Sequence, residues 1–251
     1  MKAHSAAIVL AAGAGTRMSS DLPKPLHPVG GRAMVLRVLD TLADADAGPV
    51  VVVVGHEADH VRDAVRTAAP RLDRLVFADQ PYQLGTGDAA CVGLDALGEL
   101  PGTSDVLVLP GDTPLLRAET LAQLVAVRRR DGAAASLLTA CLDDPTGYGR
   151  IVRSDGEIAI VEQRDASPEQ SQIDEINAGV YCFDIARLRR VLPQLRCANA
   201  AAEYYLTDAI GLLGSDSQRI STVTTADAAE AMGVNDAAQL AACEVALAAR
   251  G

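Results

Sequence analysis

A segment near the N-terminus carries residue types that could bind phosphate. In LAAGAGTRMSSDLPKPL, residues 10–26, Gly13 and Gly15 follow an apolar run, and Arg17 and Lys24 come next, with Lys24 between two prolines. Glycine lets backbone N–H groups approach an anion closely, while arginine offers a planar fork and lysine a compact point charge. The segment therefore predicts a polyphosphate site, the alternative being a surface loop with two solvated cations.

Two familiar phosphate-binding patterns do not fit this loop. The dinucleotide fingerprint G-x-G-x-x-G requires a third glycine where this chain has Met18, and the P-loop requires Gly-Lys-Ser or Gly-Lys-Thr, which the segment lacks. The loop therefore differs from both patterns. Its spacing alone leaves open which phosphate compound it would hold.

A carboxylate follows another apolar run. DVLVL, residues 105–109, leads into Pro110, Gly111 and Asp112. Mg²⁺ usually takes one or two protein carboxylates and completes its shell with water and substrate phosphates, so Asp112 is a candidate metal ligand. The alternative is that Asp112 caps a turn before a helix that begins near residue 118.

A second metal pattern, H-E-x-x-H, occurs at residues 56–60. In zinc proteases both histidines of this motif lie on one face of a helix. Here the motif directly follows the apolar run VVVVVG, so we expect His56 in the loop or in the first helical turn. The acidic residues Glu57 and Asp59 suit the positive N-terminal end of a helix, and an acidic helix start is the favoured interpretation.

The order of apolar patterns positions these residues. Apolar runs typical of strands alternate with segments of helical periodicity, which predicts a parallel sheet with helices on both faces, a Rossmann-like α/β fold. Ligands bind beyond the carboxyl ends of the strands in such sheets. The predicted strands are 6–11, 50–54, 75–78 and 105–109, and the predicted helices are 34–43, 57–68, 88–97 and 118–129.

The pattern changes after residue 132, where strand-like segments predict a smaller mixed-sheet lobe against the parallel core. Its predicted strands are 135–142, 149–163 with a hairpin turn at 154–156, 178–185 and 219–224; its helices are 185–195 and 203–213, and a last helix runs from about 236 to the end. We therefore expect a core over 1–226, comprising a first half to about 132 and a lobe over 133–226, followed by a loop and helix over 227–251.

Composition excludes some classes of protein. The net charge of −11 argues against a nucleic-acid partner. No apolar stretch approaches the roughly 20 residues of a membrane-spanning helix, and the N-terminus lacks a clear cleavable leader. We therefore expect a cytoplasmic protein without a membrane partner. The five cysteines have no C-x-x-C spacing, which favours reduced thiols.

Eight blocks along the chain form a further pattern: LAAGAGTRMSSDLPKPLHPVGGRAM, QLGTGDA, LPGDTPLL, PTGYGRIVR, AIVEQRDASPEQ, EINAGVY, EYYLTDAI and GVNDAAQLA. In this order they resemble the uridyltransferase half of the bifunctional bacterial N-acetylglucosamine-1-phosphate uridyltransferases. The first block alone indicates only the broad sugar-phosphate nucleotidyltransferase superfamily. The later blocks QLGTG, PTGYGRI with IVEQ, and EYYLTD narrow the resemblance to the N-acetylglucosamine branch.

The resemblance implies transfer of a uridylyl group from UTP to N-acetylglucosamine 1-phosphate, with Mg²⁺ as cofactor. It implies that Arg17 and Lys24 contact the triphosphate as catalytic residues and that Asp112 and Asn235 ligate the metal. The implied nucleotide contacts are Leu10, Ala11, Ala12, Gly13, Gly15, Thr16, Gln80, Gly85 and Thr86, and the implied sugar contacts are Gly149, Glu162, Asn177, Tyr205 and Thr207.

Two alternatives stay open at this point. One is a related nucleotidyltransferase with another sugar 1-phosphate or nucleotide, and the other is a non-catalytic nucleotide or sugar sensor. The bifunctional relatives also carry a β-helix of hexapeptide repeats that performs acetyl transfer and forms a trimer. The present sequence contains no such repeat, so trimer formation by that route is not expected.

Overall fold

The computed structural model describes residues 5–13, 15–18, 20, 22–69, 72, 74–100, 105–154 and 156–250. Nine strands form one sheet, and a two-stranded ribbon of β2 (Pro28–Val29) and β3 (Arg32–Ala33) lies apart from it. The nine strands are β1 (Ala6–Ala11), β4 (Val50–Val54), β5 (Leu75–Asp79), β6 (Asp105–Pro110), β7 (Ala135–Cys141), β8 (Arg150–Ser154), β9 (Glu157–Val161), β10 (Glu175–Asp184) and β11 (Ile220–Thr224).

The sheet has the order β11-β7-β10-β6-β1-β4-β5, and β8 joins it by pairing with β10. Strands β6, β1, β4 and β5 are mutually parallel, as are β11 and β7. Strand β10 runs antiparallel to β6 and β7, and β8 and β9 form an antiparallel hairpin. The predicted α/β class with a mostly parallel sheet is confirmed, and the strands beyond residue 132 extend that same sheet.

Seven α-helices surround the sheet within the described residues: α1 (Met34–Asp44), α2 (Ala58–Ala68), α3 (Thr86–Leu97), α4 (Ala118–Asp131), α5 (Ile185–Val191), α6 (Thr207–Ser215) and α7 (Ala237–Arg250). None of these helices is both long and apolar enough to cross a bilayer.

The two faces of the sheet have separate cores. Because successive strand residues point to opposite faces, Ile8 of β1 belongs to the core that includes residues of α3, α5 and α6, whereas Ala7 and Val9 belong to the core that includes residues of α1, α2 and α4. The all-valine strand β4 contributes to both cores and is fully buried. This explains why its sequence is continuously apolar, as expected for a parallel strand covered on both faces.

A third, smaller cluster joins the two ends of the chain. Met18 of the N-terminal 3₁₀ turn and Val29 of β2 pack with Val234 and Cys243, which lie before and within α7. Leu115, just beyond β6, belongs to the same cluster. This packing holds the N-terminal loop, the end of β6 and the start of α7 next to one another.

Two predicted helices differ from the observed ones. The segment predicted as one helix over 185–195 is α-helical only as far as Val191 and continues as a 3₁₀ turn, Leu192–Gln194. The change occurs because Pro193 cannot donate a helical hydrogen bond. The helix predicted over 203–213 begins only at Thr207. Tyr204 and Tyr205, which the periodicity assigned to an apolar helix, therefore lie in the preceding loop, so the prediction is wrong there.

Candidate active site

A cleft of about 410 Å³ opens beyond the carboxyl ends of β1, β5 and β6. The other lining residues come from the ends of the β8–β9 hairpin, the middle of β10, the loops before α3 and α6 with the starts of these helices, Lys24 with Pro25, and the segment before α7. Most of the residues implied by the sequence resemblance line it: Leu10, Ala11, Ala12, Gly13, Lys24, Gln80, Gly85, Thr86, Asp112, Gly149, Glu162, Asn177, Thr207 and Asn235.

The other implied residues lie beside the cleft or outside the described part of the chain. Gly15, Arg17 and Tyr205 are not among its lining residues. Arg17 nevertheless reaches the cleft wall, because its Nη2 donates to Asn235 Oδ1 at 3.0 Å. Thr16 begins a 3₁₀ turn, Thr16–Met18, and its side chain lies outside the described residues.

A cluster of charged and amide groups occupies one end of the cleft. Lys24 Nζ forms an ion pair with Asp112 Oδ2 and donates to Asn235 Oδ1 at 2.7 Å. Only 13% of the Lys24 side chain and 21% of the Asp112 side chain is exposed to solvent. Segments that are far apart in sequence therefore place one ammonium group between two oxygen atoms.

Backbone contacts hold this cluster in position. The N–H of Val234 donates to the carbonyl of Asp112 at 3.0 Å, which ties the end of β6 to the segment before α7. The N–H of Asn235 donates to Gln239 Oε1 at 2.7 Å, so the first turn of α7 supports Asn235 from behind. The third hydrophobic cluster lies beneath these contacts through Val234, and the position of Asn235 is therefore fixed by tertiary packing.

The oxygen atoms of Asp112 and Asn235 suit Mg²⁺. Carboxylate and amide oxygens are its usual protein ligands, and a site with one carboxylate relies on water and substrate phosphates for the other ligands. The Lys24 ammonium already lies between these two oxygens, which indicates that they favour a cation. Among the described residues no group of three or more histidine, cysteine, aspartate or glutamate side chains could form a different metal centre.

The glycines of the N-terminal loop have different surroundings. Gly13 is exposed, and a Cβ added there would meet no atom within 4 Å, so its backbone faces open space in the cleft. Gly15 has φ +62°, and an added Cβ would overlap the side chain of Lys24. Gly15 is therefore required for the approach of Lys24, a reason that the phosphate interpretation alone did not provide.

The opposite end of the cleft contains a fixed amide. Gln80 is buried, with 4% of the residue exposed. Its Nε2 donates to Asp88 Oδ2 at 2.7 Å and to the carbonyl of Gly85 at 3.0 Å. Both partners are acceptors, so the amide nitrogen must face them. The Oε1 atom of Gln80 is left as an acceptor beside the cleft.

The loop before α6 closes the side of the cleft next to Gly85. Gly85 has φ +111°, and an added Cβ would lie 2.5 Å from the carbonyl oxygen of Tyr204. The Tyr204 N–H donates to the Leu84 carbonyl and the Gly87 N–H donates to the Tyr204 carbonyl, both at 2.8 Å. The Leu206 N–H donates to Thr86 Oγ1 at 3.0 Å. These bonds hold the loop extended and explain why α6 begins late.

A carboxyl group with a perturbed pKa lies on the hairpin side of the cleft. Burial raises the pKa of Glu162, and the hydrogen bond donated by Thr207 Oγ1 to Glu162 Oε1 at 3.0 Å opposes that rise. The nearby carboxylates of Asp208, Asp165 and Glu203 raise it further. This side of the cleft is therefore acidic and favours neutral, hydroxyl-rich ligands or cations.

Asn177 lies at an irregularity of β10. The pairing of β10 with β7 shifts register between Asn177 and Tyr181, and Gly179 between them has φ +73°. Asn177 Nδ2 donates to the Tyr181 hydroxyl at 2.6 Å, and Asn177 Oδ1 accepts from the Gly179 N–H at 3.2 Å. A bulge of this kind re-aims side chains next to binding sites, and here it turns Asn177 into the cleft wall.

Several residues that line the cleft, or that hold a lining residue in position, were not identified from the sequence as site residues. Gln83 donates from Nε2 to the Ala12 carbonyl at 3.1 Å, and Asp88 orients Gln80. Thr113, Tyr148 and Glu203 also line the cleft, and within the described residues Thr113 Oγ1 is buried with no hydrogen-bond partner. All of them lie within the eight sequence blocks that carry the family resemblance, so the blocks could have indicated them as candidates. Only the fold shows which residues of a block face the cleft.

The H-E-x-x-H segment lies outside this site. His56 is in the turn before α2, Glu57 has φ +50°, and α2 begins only at Ala58. His60 is in the helix with 69% of its side chain exposed. The two histidines therefore do not share a helix face. This agrees with the expectation that His56 follows the strand too closely to lie within an established helix.

The chain is similar to known proteins along nearly all of its length. The chain is 50% identical over 241 residues to the Bifunctional protein GlmU of Mycobacterium sp. (strain KMS), covering 95% of this chain and 48% of the relative. It is 48% identical over 240 residues to the proteins of the same name from Corynebacterium efficiens, with 94% and 49% coverage, and from Mycobacterium bovis, with 94% and 48% coverage. The chain thus spans about half the length of the curated relatives it matches.

A family model extends the comparison from single relatives to a domain. Residues 7–168 match the model of the MobA-like NTP transferase domain. They include all but the first residue of β1, the loop that carries Arg17 and Lys24, and the cleft residues Gln80, Asp112 and Glu162. That match covers more than half of the chain and agrees with the nucleotidyltransferase resemblance found in the sequence. The chain belongs to the family of MobA-like NTP transferase domains.

Proposed function

We propose that this protein transfers a uridylyl group from UTP to N-acetylglucosamine 1-phosphate and releases pyrophosphate. The observation that supports the proposal best is the convergence of Lys24, Asp112 and Asn235 at the carboxyl edge of a parallel sheet. The match to the MobA-like NTP transferase domain and the similarity to GlmU proteins support it further. UTP is a cytoplasmic metabolite, so the reaction would take place in the cytoplasm.

The proposed nucleotide side of the cleft is formed by residues of the first 132 positions. The backbone from Leu10 to Gly13, with Gly15, Thr16, Gly85 and Thr86, would surround the uracil and ribose. Gln80 would accept a hydrogen bond from the uracil N3–H, because both hydrogens of its amide nitrogen are already donated within the protein.

The proposed sugar side comes from residues 133–226. Glu162 and Asn177 would contact sugar hydroxyl or acetamido groups, with Gly149, Tyr205 and Thr207 nearby. Asn177 is held at both ends of its amide by protein contacts, so its position would be the same before and after binding. The segment 227–251 would complete the site by contributing Asn235.

The chemical step requires positioning and charge neutralisation. A phosphate oxygen of the sugar phosphate, already anionic at neutral pH, would attack the α-phosphorus of UTP. The bond between that phosphorus and the oxygen bridging the α- and β-phosphates would break, and this oxygen would leave as part of pyrophosphate. The chain therefore needs neither a nucleophilic side chain nor a strong base. Arg17 and Lys24 would neutralise charge on the departing pyrophosphate.

We propose that Asp112 and Asn235 hold Mg²⁺ for this reaction. When bound, this ion would supply Lewis-acid stabilisation of the phosphate charge. The chain's own contribution is to keep the two oxygen ligands at the cleft end, through the backbone bond from Val234 to Asp112 and the support of Asn235 by Gln239.

Pyrophosphate release tests the proposal. The purified protein is incubated with Mg²⁺, UTP and N-acetylglucosamine 1-phosphate, with glucose 1-phosphate, glucosamine 1-phosphate, dTTP and CTP as comparisons. We expect the highest kcat/KM with the first pair, and Asp112→Ala should lower turnover by roughly 10²-fold or more because it removes a main electrostatic element. Preference for another pair would identify a related transferase, and no release with any pair would contradict the proposal.

A further inference from the structure

The Lys24 ammonium lies where the proposed metal would bind. Its Nζ contacts Asp112 Oδ2 in an ion pair and lies 2.7 Å from Asn235 Oδ1, and these are the two protein oxygens proposed for Mg²⁺. An ammonium is a compact cation with three donor hydrogens. Lys24 thus satisfies the two oxygens that a divalent ion would otherwise satisfy.

The two cations exclude each other. A divalent ion needs direct contact with both oxygens at about 2.0 to 2.1 Å, and the Lys24 ammonium already contacts both. Two positive charges this close also repel each other strongly in a partly buried site. Metal binding at Asp112 and Asn235 therefore requires the Lys24 side chain to leave.

The surrounding structure permits a movement of the side chain alone. Lys24 begins a 3₁₀ turn between Pro23 and Pro25, both of which are buried, so the backbone at this point is firmly held. Its stem passes over Gly15, where any side chain would collide with it. The flexible end of the lysine is consequently the part that can change partners, and phosphate oxygens in the cleft would offer it a competing anion.

We propose that Lys24 guards the metal site: it holds the cation position in the nucleotide-free protein and vacates it when its ammonium moves to nucleotide phosphates. This inference rests on the proposed function and assigns Lys24 a positioning role for the metal in addition to its contact with phosphate. Its consequence is that nucleotide-free protein binds divalent ions poorly and that nucleotide and metal enter the site together.

Direct Mn²⁺ binding to the nucleotide-free protein tests this inference without turnover. Free Mn²⁺ is quantified by its paramagnetic resonance signal for the unaltered protein, Lys24→Met and Arg17→Met. We expect Lys24→Met to bind Mn²⁺ at least about tenfold more tightly, since it frees Asp112 from a partly buried ion pair. Adding Asp112→Asn to Lys24→Met should abolish the gain.

Arg17→Met is the matched control because it removes the same charge beside the site, and Arg17 also donates to Asn235. It should raise Mn²⁺ affinity much less than Lys24→Met. Equal gains in the two variants would show that only the nearby positive charge matters, and no gain in Lys24→Met would show that Lys24 does not block the site. Either result overturns the inference.

A second measurement uses the unaltered protein. The chain contains only two lysines, Lys2 and Lys24, so acetylation by acetic anhydride can be followed at each by mass spectrometry. Saturating Mn²⁺ should increase acetylation of Lys24 relative to Lys2 as the ion pair is released. An unchanged ratio at full metal occupancy would contradict the inference. Because neither assay needs substrate, failure of either is distinguishable from failure of the proposed uridylyl transfer.

Discussion

Asp88 is expected to control which nucleotide base the protein accepts, although we do not propose that it touches the base. It accepts a 2.7 Å hydrogen bond from Gln80 Nε2, and the Gly85 carbonyl accepts the second bond at 3.0 Å. Gln80 Oε1 is thereby kept as the acceptor beside the cleft. An acceptor matches the N3–H of uracil and opposes the lone pair at N3 of cytosine.

Asp88→Asn removes the charge that fixes this orientation. The bond to the carboxylate contributes about 1.5 to 3 kcal/mol and the bond to the Gly85 carbonyl about 0.5 to 1.5 kcal/mol. The asparagine amide can pair with either end of the Gln80 amide, so only the weaker bond still resists reversal. Even the lower value for the carboxylate bond, about 1.5 kcal/mol, corresponds to a change of slightly more than tenfold in relative rate, and we expect the preference for UTP over CTP to fall by about tenfold or more.

The assay is the ratio of kcat/KM for UTP and CTP, measured by pyrophosphate release with the same sugar phosphate. Asp95→Asn is the matched control, because Asp95 is exposed further along the same helix α3 and the charge change is identical. The control should keep the ratio of the unaltered protein. The reasoning is refuted if Asp88→Asn keeps that ratio within twofold while remaining folded and active.

Two further predictions concern stability. Gly93→Ala in α3 should lower the free energy of unfolding, measured in urea, by about 1 to 3 kcal/mol, because the added Cβ would overlap Ile8 Cγ2 in the core. Gly211→Ala in α6 should raise it by about 0.5 to 1 kcal/mol, because the added Cβ would meet no atom within 4 Å. Equal effects of the two substitutions would contradict the packing argument. Burial raises the pKa of Glu162 in the folded state, so its ionisation costs stability as the pH rises above about 4.3, the ordinary glutamate value. The melting temperature of Glu162→Gln relative to the unaltered protein should therefore increase from pH 4 to pH 7, and a difference independent of pH would contradict this.

The arrangement of the core could be predicted from local sequence patterns. VVVVV and DVLVL are short apolar runs between helix-period segments, and burial of a parallel strand on both faces requires such runs. The same alternation predicted a parallel sheet, and hence that the Gly13 loop and Asp112 would lie at the same edge of it. The loop over 203–206 could not be predicted in this way. Its sequence has helical periodicity, but its backbone forms hydrogen bonds with Leu84, Thr86 and Gly87 in place of those of a helix.

By itself, the sequence determined the α/β class, the loop with Arg17 and Lys24, and the candidate ligand Asp112, because these depend on local composition and periodicity. It indicated Asn235 only through resemblance to a family. The tertiary structure decided that Lys24 lies between Asp112 and Asn235, that Asp88 orients Gln80, and that Gly15 makes room for Lys24. The first of these contacts depends on sheet order and on the packing of α7, and the other two depend on the paths of the loops after β5 and β1. No periodicity along the chain specifies which atoms these three-dimensional arrangements bring together.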